Sequence, residues 1–130
     1  MPLLIIKPEE IRARLNRETK IPDMIKDYAV KENSFRVEMK IEKIPMDIKI
    51  NLTFDSYANG VIYFNYSGNI PKVFLSLLKG VIRDRTKGVV TIEDDFIKLH
   101  IYEVFPPSLA QVRVKNINFE QGFYKIDFDL

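Results

Sequence analysis

The segment Ile70-Pro71-Lys72-Val73-Phe74-Leu75-Ser76-Leu77-Leu78-Lys79-Gly80-Val81-Ile82-Arg83 decides how the rest of the chain is read. It carries the one strong helical apolar pattern in a sequence that otherwise alternates with the period of a strand. At about 100° per residue, Ile70, Val73, Phe74, Leu75, Leu77, Leu78, Val81 and Ile82 span an arc of roughly 200°. Lys72, Ser76, Lys79 and Arg83 take the remaining face. A surface helix needs an apolar stripe of only about 100°. The width of this one predicts a helix held in a concave wall, with a narrow wet side.

The residues before it read as strands. Phe35, Val37, Met39 and Ile41 alternate with Arg36, Glu38, Lys40 and Glu42, the pattern of a half-buried strand. Lys43-Ile44-Pro45 interrupts the run, because proline cannot donate to a ladder. Alternation resumes through Met46, Ile48, Ile50, Leu52 and Phe54. Two long alternating strands in succession imply an antiparallel sheet with one dry face. Asp55 to Gly60 reads as a loop, with Asn59-Gly60 suited to positive φ, and Val61 to Tyr66 as a further strand. Nearer the N-terminus, Ile25 to Lys31 reads as a short strand and Glu32-Asn33-Ser34 as a turn. Leu3 to Ile6 reads as an edge strand or a packed tail. Pro8-Glu9-Glu10 suits the first turn of a helix, where proline loses nothing and acids meet the positive end of the dipole. That helix should end before Pro22. Ile11 and Leu15 mark its apolar edge, and Arg12, Arg14 and Arg17 a solvated basic face.

After the central helix, Asp84 to Gly88 reads as a loop or a last turn ended by glycine. Val89 to Ile92 is a strand, Glu93-Asp94-Asp95 a turn, and Phe96 to Val104 a strand stopped by Pro106-Pro107. Ser108 to Gln111 suits one helical turn. Val112 to Phe119 is a strand whose parity slips near Asn116, which predicts a bulge. Glu120-Gln121-Gly122 suits a hairpin loop, and Tyr124, Ile126, Phe128 and Leu130 line one face of a last strand. Strands, one helix, then strands again predict an α+β domain over 1–130. The expected architecture is a strongly curved antiparallel β-sheet wrapped around one central buried helix, plus a short N-terminal helix.

Composition narrows the function classes. The chain has 130 residues, 46% hydrophobic and 29% charged, with a net charge of +2. These are globular values, and such a length supports a core of its own. Acids interrupt the cations along the chain, so no strong field for nucleic acid or membrane follows from charge. There is no cysteine, which removes disulfides, thiolate metal sites and cysteine nucleophiles. Met1 to Ile6 is too short for a signal peptide and lacks its basic start. No apolar run approaches the roughly 20 residues of a membrane span.

The order of elements resembles a known group. A helix beginning at Pro8-Glu9-Glu10, long alternating strands, the Ile70–Ile82 helix, and the ending Val112–Phe119, Gly122, Tyr124–Leu130 are similar to the small lipid-binding domains of bacterial envelopes. These are the LmeA-type phospholipid-binding proteins and the wider tubular lipid-binding (TULIP-like) group. The resemblance is one of pattern and rests on no fixed motif. It implies a curved sheet around a helix, an apolar groove for acyl chains, and a place in the cell envelope.

Catalysis finds little support. His100 is the only histidine, and no nucleophile or orienting partner is placed beside it by the pattern. A surface or packed role fits it better than a base. Glu93-Asp94-Asp95 lacks the converging ligands that a hard cation needs and reads as a turn. No phosphate loop, nucleophile elbow or H-E-x-x-H motif occurs. No cofactor and no metal is expected, and the chain is read as a non-enzyme. Lys79, Arg83, Arg85 and Lys87 cluster, and Tyr57, Tyr63 and Tyr66 are aromatic, but nucleic acid is not an expected partner because no concentrated basic face accompanies them.

Two readings of the apolar surplus stay open. In one, the helix and the rows of Phe35, Val37, Met39, Ile48, Ile50, Leu52, Phe54, Tyr63 and Phe64 close into a core. In the other, they leave a groove for a lipid or other amphipathic small molecule, since pockets too are largely apolar. The residues expected to meet that ligand are Phe74, Leu75, Leu78 and Ile82 on the helix and Phe54 and Phe64 on the sheet. Lys79 and Arg83, with Lys72, would meet its head group. Peripheral contact with a membrane belongs to this reading. The alternative function is a structural or protein-interaction module with a closed core, using a surface or pairing with a second copy through a sheet edge.

Overall fold

A computed structural model describes residues 3–18 and 24–129, and the side chains of these residues except 14–18. The expected roles of Arg14, Leu15 and Arg17, the stop before Pro22 and the last apolar position, Leu130, lie outside the described residues. The elements are β1 (Leu3–Ile6), α1 (Pro8–Glu18), β2 (Ile25–Lys31), β3 (Ser34–Met39), β4 (Ile48–Ala58), β5 (Val61–Gly68), α2 (Lys72–Arg85), β6 (Val90–Ile92), β7 (Phe96–His100), β8 (Arg113–Glu120) and β9 (Phe123–Asp129). Two short 3-10 turns, Ile101–Val104 and Pro107–Leu109, join β7 to β8.

The fold is α+β, and its strands form two antiparallel sheets. The large sheet runs β2-β3-β4-β5-β7-β6, and the small one runs β1-β9-β8. The expectation of one sheet curled around the helix is replaced by this arrangement. The reason is the pairing of β1 with β9, Leu3 opposite Asp127 and Ile6 opposite Tyr124. It draws the first and last strands into a sheet of their own.

Register sets the faces. Phe35, Val37 and Met39 stand opposite Leu52, Ile50 and Ile48. Phe54 and Leu52 stand opposite Phe64 and Tyr66, and Phe64 opposite Ile97. Because side chains alternate across a strand, all of these share one face of the large sheet. α2 lies over part of that face. Leu78 and Ile82 pack into a cluster with Met39, Ile48, Ile50, Ile92 and Ile97. Leu78 and Ile48 are fully buried, worth about 1.5–3 kcal/mol each in transfer from water. The wide apolar arc of α2 is not fully used: Val73 is 79% exposed. The helix ends where Gly88, at φ 83°, lets its N–H donate to the Arg83 carbonyl at 2.9 Å.

Several boundaries differ from the alternation pattern. β3 stops at Met39, and Ile41 and Ile44 reach the core from a turn in which the Ile44 N–H donates to the Ile41 carbonyl. β4 continues through the expected loop as far as Ala58, because a bulge between Phe54 and Ser56 resets its register. Only Asn59-Gly60 turns, both at positive φ, the two-residue hairpin geometry matched to strand twist. β7 ends at His100 rather than Val104. The Ile101 N–H donates instead to the Gly60 carbonyl at 3.0 Å, and the chain tightens into a 3-10 turn. The bulge expected near Asn116 is present between Val114 and Asn116.

Candidate functional site

The inner face of the large sheet is covered in two parts. α2 covers one part, and the small sheet with α1 lies over the other. Beneath the small sheet a groove of about 420 Å³ remains. Its floor is built by Phe35 and Val37 of β3, Leu52 and Phe54 of β4, Ile62 and Phe64 of β5, Val90 of β6, and Ile97 and Leu99 of β7. Its roof is built by Ile6 of β1, Ile11 of α1, Ile117 of β8, and Tyr124 and Ile126 of β9. Every wall residue is apolar or aromatic, and most of the floor is only half-buried. The volume falls within the roughly 300–1,000 Å³ of ordinary ligand pockets.

Tyrosines tie the small sheet to the large one and to the turn after β7. The Tyr124 hydroxyl donates to the Glu32 carbonyl at 3.0 Å. Tyr57 donates to the Val114 carbonyl at 2.7 Å, and the Val114 N–H donates to Tyr102 at 2.9 Å. Aromatic edges fill one side of the groove. Tyr124 meets Phe54 edge-on at 5.9 Å and packs against Phe119 at 4.8 Å, while Phe64 meets Phe35 at 5.8 Å. Such pairs add about 0.5–1.5 kcal/mol beyond burial. Burial pushes the Tyr124 phenol up to about 12. Its one polar atom is already bonded, so it brings no free polar handle to the wall.

The margin along β1 is apolar too. Leu4 stands opposite Ile126 and, by alternation, on the same face as Ile6. It is 47% exposed. The inner face of the small sheet therefore reaches solvent at Leu4.

The structure distributes the sequence-predicted residues unequally. Phe54 and Phe64 wall the groove. Leu78 and Ile82 lie in the sealed layer between α2 and the large sheet, with Phe74 packed partly against it. Leu75 is half-buried on α2 and does not line the groove. Lys79 donates to Asp94 at 2.7 Å, which holds its ammonium pKa up and the Asp94 carboxyl pKa down. Arg83 lies 3.5 Å from the neighbouring Asp84, and Lys72 is exposed. The helix cations thus sit away from the groove. The groove residues that sequence reasoning did not assign are Ile6, Ile11, Ile62, Val90, Ile97, Leu99, Ile117, Tyr124 and Ile126. Their alternation marked an apolar face, but nothing local showed that the two faces oppose each other.

A second hollow, about 250 Å³, does touch α2. Leu77 and Val81 join Met24 and Ile41 there, but Lys40, Glu42, Lys43, Asp84 and Arg85 form the rest of its wall. So charged a rim over so small a space suits water better than hydrocarbon. Elsewhere, His100 Nε2 lies 3.3 Å from Thr91 Oγ1. Among the described residues no three His, Asp or Glu side chains converge as metal ligands, and no helix is long and apolar enough to cross a membrane.

No known protein family, curated protein or solved structure matches this chain. The groove's own chemistry is therefore what bears on function: its wall is hydrocarbon and aromatic ring, and its one polar side-chain atom, the Tyr124 hydroxyl, is taken by the Glu32 carbonyl.

Proposed function

We propose that this protein binds the apolar part of a lipid or other amphipathic ligand in the groove between its two sheets. The observation that carries the reading is the wall itself: an all-apolar lining around about 420 Å³, with half-buried aromatic and aliphatic side chains left uncovered. Covering such surface gains about 25 cal/mol per Å². The resemblance to tubular lipid-binding domains points the same way, although the proposed groove lies under the small sheet, beyond the helix, and does not depend on that resemblance.

The test is native mass spectrometry of purified protein, followed by organic extraction and by titration of the delipidated protein with myristate. A bound mass that extraction removes, or saturable uptake of myristate near one per chain, supports the reading. An empty protein that takes up no myristate refutes it.

A second reading is favoured by a different observation. β1 is an edge strand, and Leu3, Leu4 and Ile5 on it are each about half exposed. Unpaired edges attract other strands, so pairing of β1 with a second copy or a partner strand is the alternative. Sedimentation that shows a dimer abolished by Leu4→Lys, with no ligand bound, would favour it.

A further inference from the structure

Resting on the ligand-binding reading, we infer that the groove takes one hydrocarbon chain, selects it by length, and leaves the head group outside and unread. Three observations converge on this. First, the volume is that of one chain. At roughly 30 Å³ per small group, the liquid share of a water molecule and close to that of a methylene, 420 Å³ holds about fourteen carbons. A second chain of that length would need the space twice over.

Second, among the described residues the wall carries no charged group with which to recognise a head. The single hydroxyl on it, that of Tyr124, is taken by the Glu32 carbonyl. On the strands that form the roof, Lys125 is paired with Glu120 at 3.1 Å and Lys115 with Asp129 at 3.3 Å, and Arg113 donates to the Ala110 carbonyl at 2.8 Å. Lys125 stands between Tyr124 and Ile126 in β9, so by alternation it points to the other face. A head group that needed a cation would have to compete with these carboxylates.

Third, the β1 margin of the roof is apolar. Leu4 continues the face of Ile6 and Ile126 into solvent. A chain leaving the groove along β1 stays on hydrocarbon until it meets water, so its head is hydrated rather than bound. Affinity then follows the methylenes buried and little else.

The experiment titrates the delipidated full chain with two series of ligands below their micellar concentrations. One series varies the chain: octanoate, laurate, myristate, palmitate and stearate. The other holds a myristoyl or myristyl chain and varies the head: myristate, myristyl alcohol, lysophosphatidylcholine and lysophosphatidylglycerol. Affinity is expected to rise about fourfold per added methylene up to myristate and then to level. Across the heads it should stay within about fivefold, the span of an exposed charge effect. An affinity still climbing at stearate, or a preference of tenfold or more among heads, overturns this inference and leaves ligand binding standing. Uptake of no member in either series overturns ligand binding itself.

Discussion

The Tyr124 hydroxyl donates to the Glu32 carbonyl at 3.0 Å, across 92 positions of sequence, and so joins the small sheet to the β2–β3 turn of the large one. Glu32 holds φ 50° in that turn. Tyr124→Phe keeps the ring contacts with Phe54 and Phe119 and removes only this bond. The expected cost is about 1 kcal/mol, read as a lower midpoint in urea unfolding. An unchanged midpoint would show that the ring alone aligns the sheets.

The same residue shapes the response to alkali. Tyr124 is pushed up to about 12 by burial, and Tyr57 to about 12 by burial and by the Tyr102 hydroxyl beside it. In the unfolded chain a tyrosine loses its proton near pH 10. The folded pKa is the higher one, so the unfolded state holds fewer protons between the two values. Stability is therefore whole below about pH 10 and is lost as pH rises through about 12. Urea midpoints measured from about pH 9 to about pH 11 should fall, and should fall less steeply in Tyr124→Phe. Equal slopes in the two proteins would remove Tyr124 from this account.

Gly60 is held by both of its backbone groups: its N–H donates to the Tyr57 hydroxyl at 2.9 Å, and its carbonyl accepts from Ile101 at 3.0 Å. Its φ is +84°, and a Cβ there would lie 2.6 Å from ring carbons of Tyr102. Gly122 has φ +85° but open space around the Cβ position. Gly122→Ala should cost about 1 kcal/mol, the left-handed backbone penalty alone. Gly60→Ala should cost more, about 2–4 kcal/mol, as ring displacement is added. Equal losses of stability would mean that Tyr102 swings aside freely.

Within α2 two residues of the apolar arc should behave oppositely. Leu78 is fully buried and Val73 is 79% exposed. Leu78→Ala should destabilise by about 2–5 kcal/mol, whereas Val73→Ser should stay within about 0.5 kcal/mol. A large loss from Val73→Ser in the purified protein would reveal that this face is covered in solution.

Lys79 and Arg83 are engaged with Asp94 and Asp84, and neither lines the groove. Reversing both, Lys79→Glu with Arg83→Glu, should leave myristate uptake within about twofold of the parent, because neither residue lines the groove and exposed charges act weakly at a distance. Loss of uptake in a folded double variant would move the head group to α2.

Much of the fold could be read from the residues because local physics set it. The alternation of Phe35, Val37 and Met39 and of Ile48 through Phe54 decided which side chains face inward. Asn59-Gly60 and Gln121-Gly122 supplied the positive φ of two hairpins, and the parity slip near Asn116 marked a bulge. The extent of β4 and the end of β7 depart from the alternation because a bulge at one site and a tertiary carbonyl at the other, Gly60, override the local pattern. Of the candidate site, Phe54 and Phe64 were legible as inward aromatics; Tyr124, Ile126 and Ile6 were not legible as their opposite wall.

The sequence by itself determined the period of each element, its inward face and the apolar surplus that some second layer must meet. Only the tertiary structure decided what meets it where. Pairing of β1 with β9 joins residues separated by almost the whole chain, and no local propensity encodes such a contact. That pairing builds the small sheet, and the tyrosines set it over the large one. Helix and sheet close tightly at Leu78 and Ile48 because a helix ridge interdigitates with branched side chains. Two sheets spaced by aromatic rings do not close in the same way, and the groove is what remains between them.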